Sequence, residues 1–377
     1  MKKPVALYLL ICLTALALPA TAESSSAEDL VDELGIRESR IPSREMPGWS
    51  RPNKVSILVW QDLPDSGVAS REWLLEISDG VEIDIVDATK DDFDTSRLAD
   101  SDAYVGWCSS GAISSIKHLR YIHFYSAGID HCVSVLKSLD SVPIATNSAK
   151  AASETIAEHA IALMLSLTRN LHIHHSAQLK SSWGDESDDI YPAISVQGKT
   201  MLVLGLGGIG SQIARRAHAM GMRVIATRNS SRTGPDYVDY VGLSSETIEL
   251  AAQADVVINA LPLTSTTRGI VNAAFFDSMK NGSYYISVGR GATTDTEALI
   301  AALESKKLHG AGLDVTDPEP LPHDHRLWTV SSVIITPHIS SSSERSMRNT
   351  WIIARENLRR YIQGEKLLNL VDLERGY

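Results

Sequence analysis

No stretch of the 377 residues gathers lysine and arginine into a run, and the formal net charge is −11. The electrostatic footprint for nucleic acid or an anionic membrane is therefore missing, and a small-molecule partner is favoured. Cysteine is scarce: Cys12, Cys108 and Cys132 are the only three, which excludes a disulfide-built scaffold. Cys12 falls in the leader described next. Cys108 and Cys132 are expected as unpaired, semi-buried thiols, the usual state of free cysteine, although two thiols permit one disulfide. Long apolar runs are lacking too. The stretch from Val5 to Leu18 is shorter than the roughly 20 residues of a bilayer-spanning helix. With Lys2 and Lys3 before it and Ala20, Thr21 and Ala22 after it, residues 1–22 read as a cleavable signal peptide. An exported, periplasmic protein is expected, with a cytoplasmic chain begun at Met46 as the alternative. No repeat with a period of about 20 to 50 residues appears, so solenoids and propellers are excluded.

What is present is an ordinary globular balance, 44% hydrophobic and 21% charged, in a chain long enough for two cores. Residues 23–53 are polar and carry Pro42, Pro47 and Pro52, which predicts an extended lead-in with at most one short helix over Ala27 to Leu34. From Lys54 onward short β-rich runs alternate with helical stretches: Val55–Trp60, Val81–Val86, Ala103–Trp107, Tyr121–Tyr125 and Val142–Thr146. A helix follows from Ser153 to about Arg169, where Ile156, Ala160, Ile161, Met164 and Leu165 form one apolar stripe. The alternation then restarts with Thr200–Leu204, Arg223–Thr227, Val256–Ala260, Tyr284–Val288, Gly310–Val315 and Val333–Thr336. Strands interleaved with helices mean parallel βαβ units. The fold class is therefore α/β with two doubly wound parallel-sheet domains, a flavodoxin-like one over 54–150 and a Rossmann one of about six strands over 151–344. A final helix, Ser343 to about Gln363, and an apolar tail, Leu367 to Val371, return the segment 345–377 to the first domain.

The second domain opens on Gly205, Gly207, Gly208, Ile209 and Gly210, between a buried strand and a helix over Ser211 to Met220. The first glycine permits a tight turn, the second lets backbone approach a pyrophosphate, and the third lets helix and strand pack closely. A dinucleotide is the expected ligand. About 20 residues on, an acid would normally bond the ribose 2'-hydroxyl, but Arg228, Asn229, Ser230 and Arg232 stand there. Two guanidinium groups with short polar neighbours favour a 2'-phosphate, hence NADP over NAD; the alternative is a solvated turn.

Further motifs run in a fixed order: Ser126 to Asp130, Ala157 to His159, Gly198 to Thr200, Leu261 to Thr264, Val288 to Gly291 with Asp295, Gly312 to Val315, Glu319 with Pro320, and Thr336 to His338. In this combination the chain resembles the D-isomer-specific 2-hydroxyacid dehydrogenases across roughly residues 54 to 377. The resemblance implies hydride transfer between NAD(P)H and a small 2-oxo or 2-hydroxy acid, in a homodimer. It assigns catalysis to Arg290, Glu319 and His338. It places Leu261, Pro262, Thr267, Val288, Gly289 and Asp314 around the cofactor. Ala127 and Gly128 would offer N–H groups to the substrate carboxylate, and Trp107, Cys108 and Ser109 would meet its side chain.

The chemistry asks for the same residue types independently. Reducing a 2-oxo acid needs a cation to hold the carboxylate and polarise the carbonyl, and an acid to protonate the developing alkoxide. A planar arginine fork suits the first task and histidine the second, with Glu319 orienting the imidazole. Singly, each residue has a plainer reading, as a surface ion pair, a loop charge or a satisfied core histidine. His172, His174 and His175 sit together without a cysteine or carboxylate at ligand spacing, so no metal is expected. The competing class is a cofactor-sensing binding protein on the same scaffold.

Overall fold

The computed structural model describes residues 27–89, 93–183 and 192–374. The expected signal peptide lies outside them. The chain forms two units, one from residues up to Ala152 together with Ser343 onward, the other from Ser153 to Ser342. In chain order the first contains α1 (Ala27–Leu34), β1 (Lys54–Val59), α2 (Arg71–Leu75), β2 (Glu82–Asp87), β3 (Ala103–Gly106), α3 (Ser110–Ser115), β4 (Tyr121–Phe124), α4 (Val133–Lys137) and β5 (Ile144–Asn147). The second contains α5 (Ser153–Thr168), α6 (Leu171–Leu179), β6 (Thr200–Leu204), α7 (Gly208–Ala219), β7 (Arg223–Thr227), β8 (Tyr240–Gly242), α8 (Thr247–Ala251), β9 (Val256–Asn259), α9 (Ala273–Ser278), β10 (Ser283–Ser287), α10 (Thr296–Glu304), β11 (Leu308–Leu313) and β12 (Val333–Ile335). α11 (Glu344–Gln363) returns to the first unit.

Each unit is a parallel sheet. The first has strand order β2-β1-β3-β4-β5, the second β12-β11-β10-β9-β6-β7-β8. In β6 every residue is buried, as a parallel strand covered on both faces requires. Met201 and Val203 join the core under α5 and α7, while Leu202 and Leu204 join the one that holds Phe275, Phe276 and Leu299, following the period-two alternation of a strand. The second sheet has seven strands rather than the expected six or so. The addition, β8, is three residues long and pairs at the edge with β7, too short for an alternation to show.

In the first unit the lead-in forms the one short helix expected over Ala27–Leu34 and is packed: Leu30 and Ile36 are buried with Ile352, Ile353 and Leu368, and Arg360 of α11 pairs with Glu38 at 2.5 Å and with Glu356 at 2.6 Å. Cys108 and Cys132 are a disulfide rather than two free thiols. Their Cα atoms lie 5.9 Å apart, a spacing a bridge accepts, because β3 and the start of α4 are brought together by the intervening β4. The apolar tail bridges backwards, Leu368 to Glu38 and Leu370 to Thr146.

β4 and β5 carry a buried polar cluster. His123 and Thr146 are register partners; the ring Nδ1 is 2.8 Å from the Thr146 hydroxyl and Nε2 is 3.1 Å from that of Ser148. Burial pushes the His123 imidazole down from 6.5 to about 3. Because the folded value is the lower one, the unfolded chain binds a proton that the folded chain refuses once pH falls below about 6.5. Stability therefore falls as pH drops from that point toward 3, by about 2 kcal/mol between pH 7 and pH 5. Thermal unfolding measured at pH 7 and pH 5 should show this loss in the wild type and a smaller one in His123→Gln. Equal losses in both proteins would remove His123 from the cause.

Candidate active site

The glycine-rich turn follows β6 directly. Gly205 has φ +91°, and a Cβ on Gly210 would lie 2.1 Å from the Gly205 carbonyl oxygen, so only glycine lets the helix start against the strand. α7 accordingly begins at Gly208, three residues before the helix expected from Ser211. Gly207, the N-cap, is the opposite case: no atom lies within 4 Å of the position its Cβ would take. This open cradle above the first N–H groups of a 12-residue helix fits a pyrophosphate.

The loop after β7 carries the other cofactor candidates. Arg228 donates to the Thr233 carbonyl at 3.0 Å, and Asn229 accepts from Ser244 at 3.4 Å; Asn229, Ser230 and Arg232 are exposed. Arg232 is bound to Glu246 at 2.7 Å and to the Tyr240 hydroxyl at 3.0 Å. After β9, the Leu261 N–H donates to Asn259 at 3.1 Å, and Thr267 ties the turn by donating to the Pro262 carbonyl at 2.6 Å.

Arg290 follows β10 and Val288, which is buried. A Cβ on Gly289 would meet the Leu261 carbonyl oxygen at 2.5 Å, and one on Gly291 the Thr316 carbonyl oxygen at 1.9 Å. The segment bearing Arg290 is thus threaded between the turns that follow β9 and β11. Buried Asn259 donates to Thr293 at 2.8 Å and to Tyr285 at 2.9 Å, and Thr293 donates to the Arg290 carbonyl at 2.7 Å. Sequence reasoning had not singled out Asn259, Tyr285 or Thr293. The signal was a buried asparagine closing an otherwise apolar strand.

His338 and Glu319 come together as expected, Nδ1 to Oε1 at 2.5 Å, with both side chains solvent-accessible. Engagement of Nδ1 leaves Nε2 as the ring atom that can exchange a proton with a ligand. His338 itself has φ +54°, a strained conformation for a non-glycine residue. The device that holds it is Asp314, 1% exposed. Oδ1 accepts from the Thr336 hydroxyl at 2.7 Å and the Ile339 N–H at 2.9 Å, and Oδ2 from the Ser340 N–H at 3.0 Å. The Asp314 carbonyl accepts the His338 N–H at 2.8 Å. Since Thr336 spends its one hydroxyl proton on Asp314, His159 Nε2, 2.9 Å from that oxygen, is the donor to it. The His159 motif thus has a place in the site that its spacing alone did not reveal.

In the first unit, Asn147 donates to the Ala127 carbonyl at 2.8 Å and Ser126 to that of Gly128 at 2.9 Å. The N–H groups of Ala127 and Gly128 have no partner among the described residues. Trp107 is 38% exposed, Cys108 is in the disulfide, and Ser109 accepts from the Ala112 N–H as the N-cap of α3. His172 Nδ1 donates to the Ser166 carbonyl at 3.3 Å. Among the described residues no group of three or more His, Cys, Asp or Glu is gathered for a metal.

Comparison with known proteins bears on these elements together. Residues 161–340 match the model of the D-isomer specific 2-hydroxyacid dehydrogenase NAD binding domain. The human glyoxylate reductase/hydroxypyruvate reductase is 32% identical over 251 residues, 66% of this chain and 76% of that one. The chain belongs to the D-isomer specific 2-hydroxyacid dehydrogenase family. An Aspergillus oryzae 4-methyl-2-oxopentanoate reductase A is 33% identical over 68% of this chain and 75% of its own length. Among solved structures, a family member from Xanthobacter autotrophicus in complex with NADPH and MES superposes with a TM-score of 0.68 at 27% identity, covering 86% of this chain and all of that one. The protein is an NAD(P)-dependent oxidoreductase of 2-hydroxy acids.

If Asp314 carries the loop, Asp314→Ala should speed amide hydrogen exchange at Ile339 and Ser340 by tenfold or more, because a bond to a charged acceptor contributes about 1.5–3 kcal/mol. Unchanged exchange at both amides would show that the loop is held by other contacts.

Proposed function

We propose that this dehydrogenase reduces a 2-oxo acid to the D-2-hydroxy acid with NADPH. His338 serves as the proton donor, Arg290 as the cation on the substrate's carboxylate and carbonyl, and Glu319 as the residue that orients His338. The observation that carries the reading is the 2.5 Å contact between Glu319 and His338 Nδ1, which dedicates Nε2 to the substrate oxygen. NADPH, when bound, supplies the hydride. The protein supplies charge, orientation and one proton, and His338 takes that proton back in the oxidative direction.

Gly205, Gly207 and Gly210 with the N-terminus of α7 would hold the pyrophosphate, and Leu261, Pro262, Thr267, Val288 and Gly289 would border the nicotinamide half. Asp314, with both carboxylate oxygens already engaged, acts on this reading through the His338 loop. By the family resemblance, the N–H groups of Ala127 and Gly128 would receive the carboxylate, and Trp107, Cys108 and Ser109 would meet the side chain. The relatives' names, for glyoxylate, hydroxypyruvate and 4-methyl-2-oxopentanoate, support a 2-oxo acid without choosing its side chain. Export after Ala22 and assembly as a homodimer complete the reading, and N-terminal sequencing of the natural protein and its mass in solution test them.

His338→Gln should lower kcat by a factor of about 10² or more while NADPH binding stays near the wild-type level, since general acid catalysis contributes about 10²–10⁴. Near-normal turnover would remove His338 from the proton transfer.

The cofactor preference rests on Arg228, whose contact is a backbone carbonyl rather than a carboxylate. Arg228→Asp should shift the ratio of kcat/KM for NADPH over NADH toward NADH by roughly tenfold to a hundredfold, the worth of one charge-assisted contact. A wild type that already prefers NADH, or a ratio that does not move, would make Arg228 a turn residue.

A further inference from the structure

The first unit's sheet reverses its winding between β1 and β3. In open parallel sheets, ligands bind at such a switch point, beyond the carboxyl ends of the strands. Here both strands run straight into tryptophan, β1 into Trp60 and β3, through Gly106, into Trp107. Tyr125 follows β4, and Trp351 comes from α11. The four rings form one cluster. Trp60 stacks on Trp351 with centroids 4.9 Å apart and planes 3° from parallel, lies 4.6 Å from Tyr125, and meets the edge of Trp107 at 5.5 Å; Trp107 and Tyr125 are 5.7 Å apart.

Trp351 and Tyr125 are buried, whereas Trp107 keeps 38% of its surface in water. Its loop is braced in that position. The buried Tyr104 hydroxyl donates to the Trp107 carbonyl at 2.9 Å, and Gly106 makes room for this, since a Cβ there would lie 2.7 Å from the Tyr104 ring. The next residue, Cys108, is cross-linked to Cys132, and Ser109 caps α3. The backbone that bears the indole is thus held at its own carbonyl and at the following residue. Holding so large an apolar ring in water is unfavourable and is recovered when a ligand covers it.

We propose that this ring cluster is the subsite for the substrate's side chain and selects 2-oxo acids bearing a planar aromatic group, which stacks or packs edge-on against Trp107. The inference rests on the 2-oxo acid reductase reading above and adds the side-chain class to it. Aromatic pairs at centroid separations of about 4.5–7 Å attract beyond the area they bury, and a pre-braced wall loses little entropy on binding.

The experiment compares phenylpyruvate with glyoxylate, using NADPH and the full enzyme, in wild type, Trp107→Ala and Trp107→Phe. The wild type should show a kcat/KM for phenylpyruvate at least tenfold above that for glyoxylate. This ratio should fall tenfold or more in Trp107→Ala, chiefly through KM for phenylpyruvate, and return to within about threefold in Trp107→Phe. A wild type that prefers glyoxylate, with Trp107→Ala gaining on phenylpyruvate, would overturn the proposal, because the indole would then be filling space. Calorimetric titration with 3-phenylpropionate, which has no carbonyl to reduce, separates the two readings. Binding that depends on the Trp107 ring in an enzyme that reduces neither acid would keep the subsite and sink the reductase reading. Absence of binding together with glyoxylate reduction would do the reverse.

Discussion

A buried carboxylate must be solvated by the protein itself or lose its charge. Asp314 meets that demand with three donors, and the loop that supplies them is the one that carries His338. The residue grips position 338 from both sides: its carbonyl takes the His338 N–H, and its side chain takes the two amides that follow. A left-handed histidine costs on the order of 1–3 kcal/mol, and this set of bonds offsets it. The ring is thereby aimed at Glu319, and Thr336 and His159 extend the same chain into α5. Removing any one donor leaves a charge in the interior short of a partner, so these residues act as a set.

The parts of the fold legible in the sequence were those where one local rule dominates. Fully buried parallel strands read as short apolar runs, so β6 and β7 fall where expected and the other ten strands show what edges do: most shift by a residue or two, and β8 escapes notice. The glycine turn was legible because three steric demands fall at three fixed places. Its helix was placed three residues late, since glycine is a poor helix former in isolation, whereas here Gly210 is required by contact with Gly205. Tertiary pairings were not legible. Nothing in the spacing of Cys108 and Cys132 says that β4 draws them together, and nothing polar in residues 27–53 says that Leu30 and Ile36 close the core against α11.

The same division holds in the site. The glutamate and histidine that meet were identifiable as chemical types in order along the chain. Their supports, Asn259, Thr293, Thr336 and the donor role of His159, were not, because each is an ordinary polar residue until the loops after β9, β10 and β11 are brought side by side. Gly289 and Gly291 mark this crossing in the sequence without saying what crosses. The Arg290 segment is consequently located by backbone crowding on one side and a buried amide network on the other.

Charge at the loop after β7 is less even than two arginines suggest. Glu246, bound by Arg232, by the Tyr240 hydroxyl and by the Leu243 N–H, is held down to about 2 by those contacts in that order, so it stays ionised and offsets Arg232 throughout the physiological range. The Arg232 fork is occupied as well as neutralised. Arg228 gives one donor to a carbonyl, an acceptor that leaves its charge uncancelled. An incoming dianion would therefore be attracted by Arg228 and would have to displace Glu246 to recruit Arg232, giving up one charge-assisted bond for another. It follows that the pair does not act as two equal cations: Arg228 sets the local potential, and Arg232 orders the turn from Tyr240 to Glu246 that shapes the same surface.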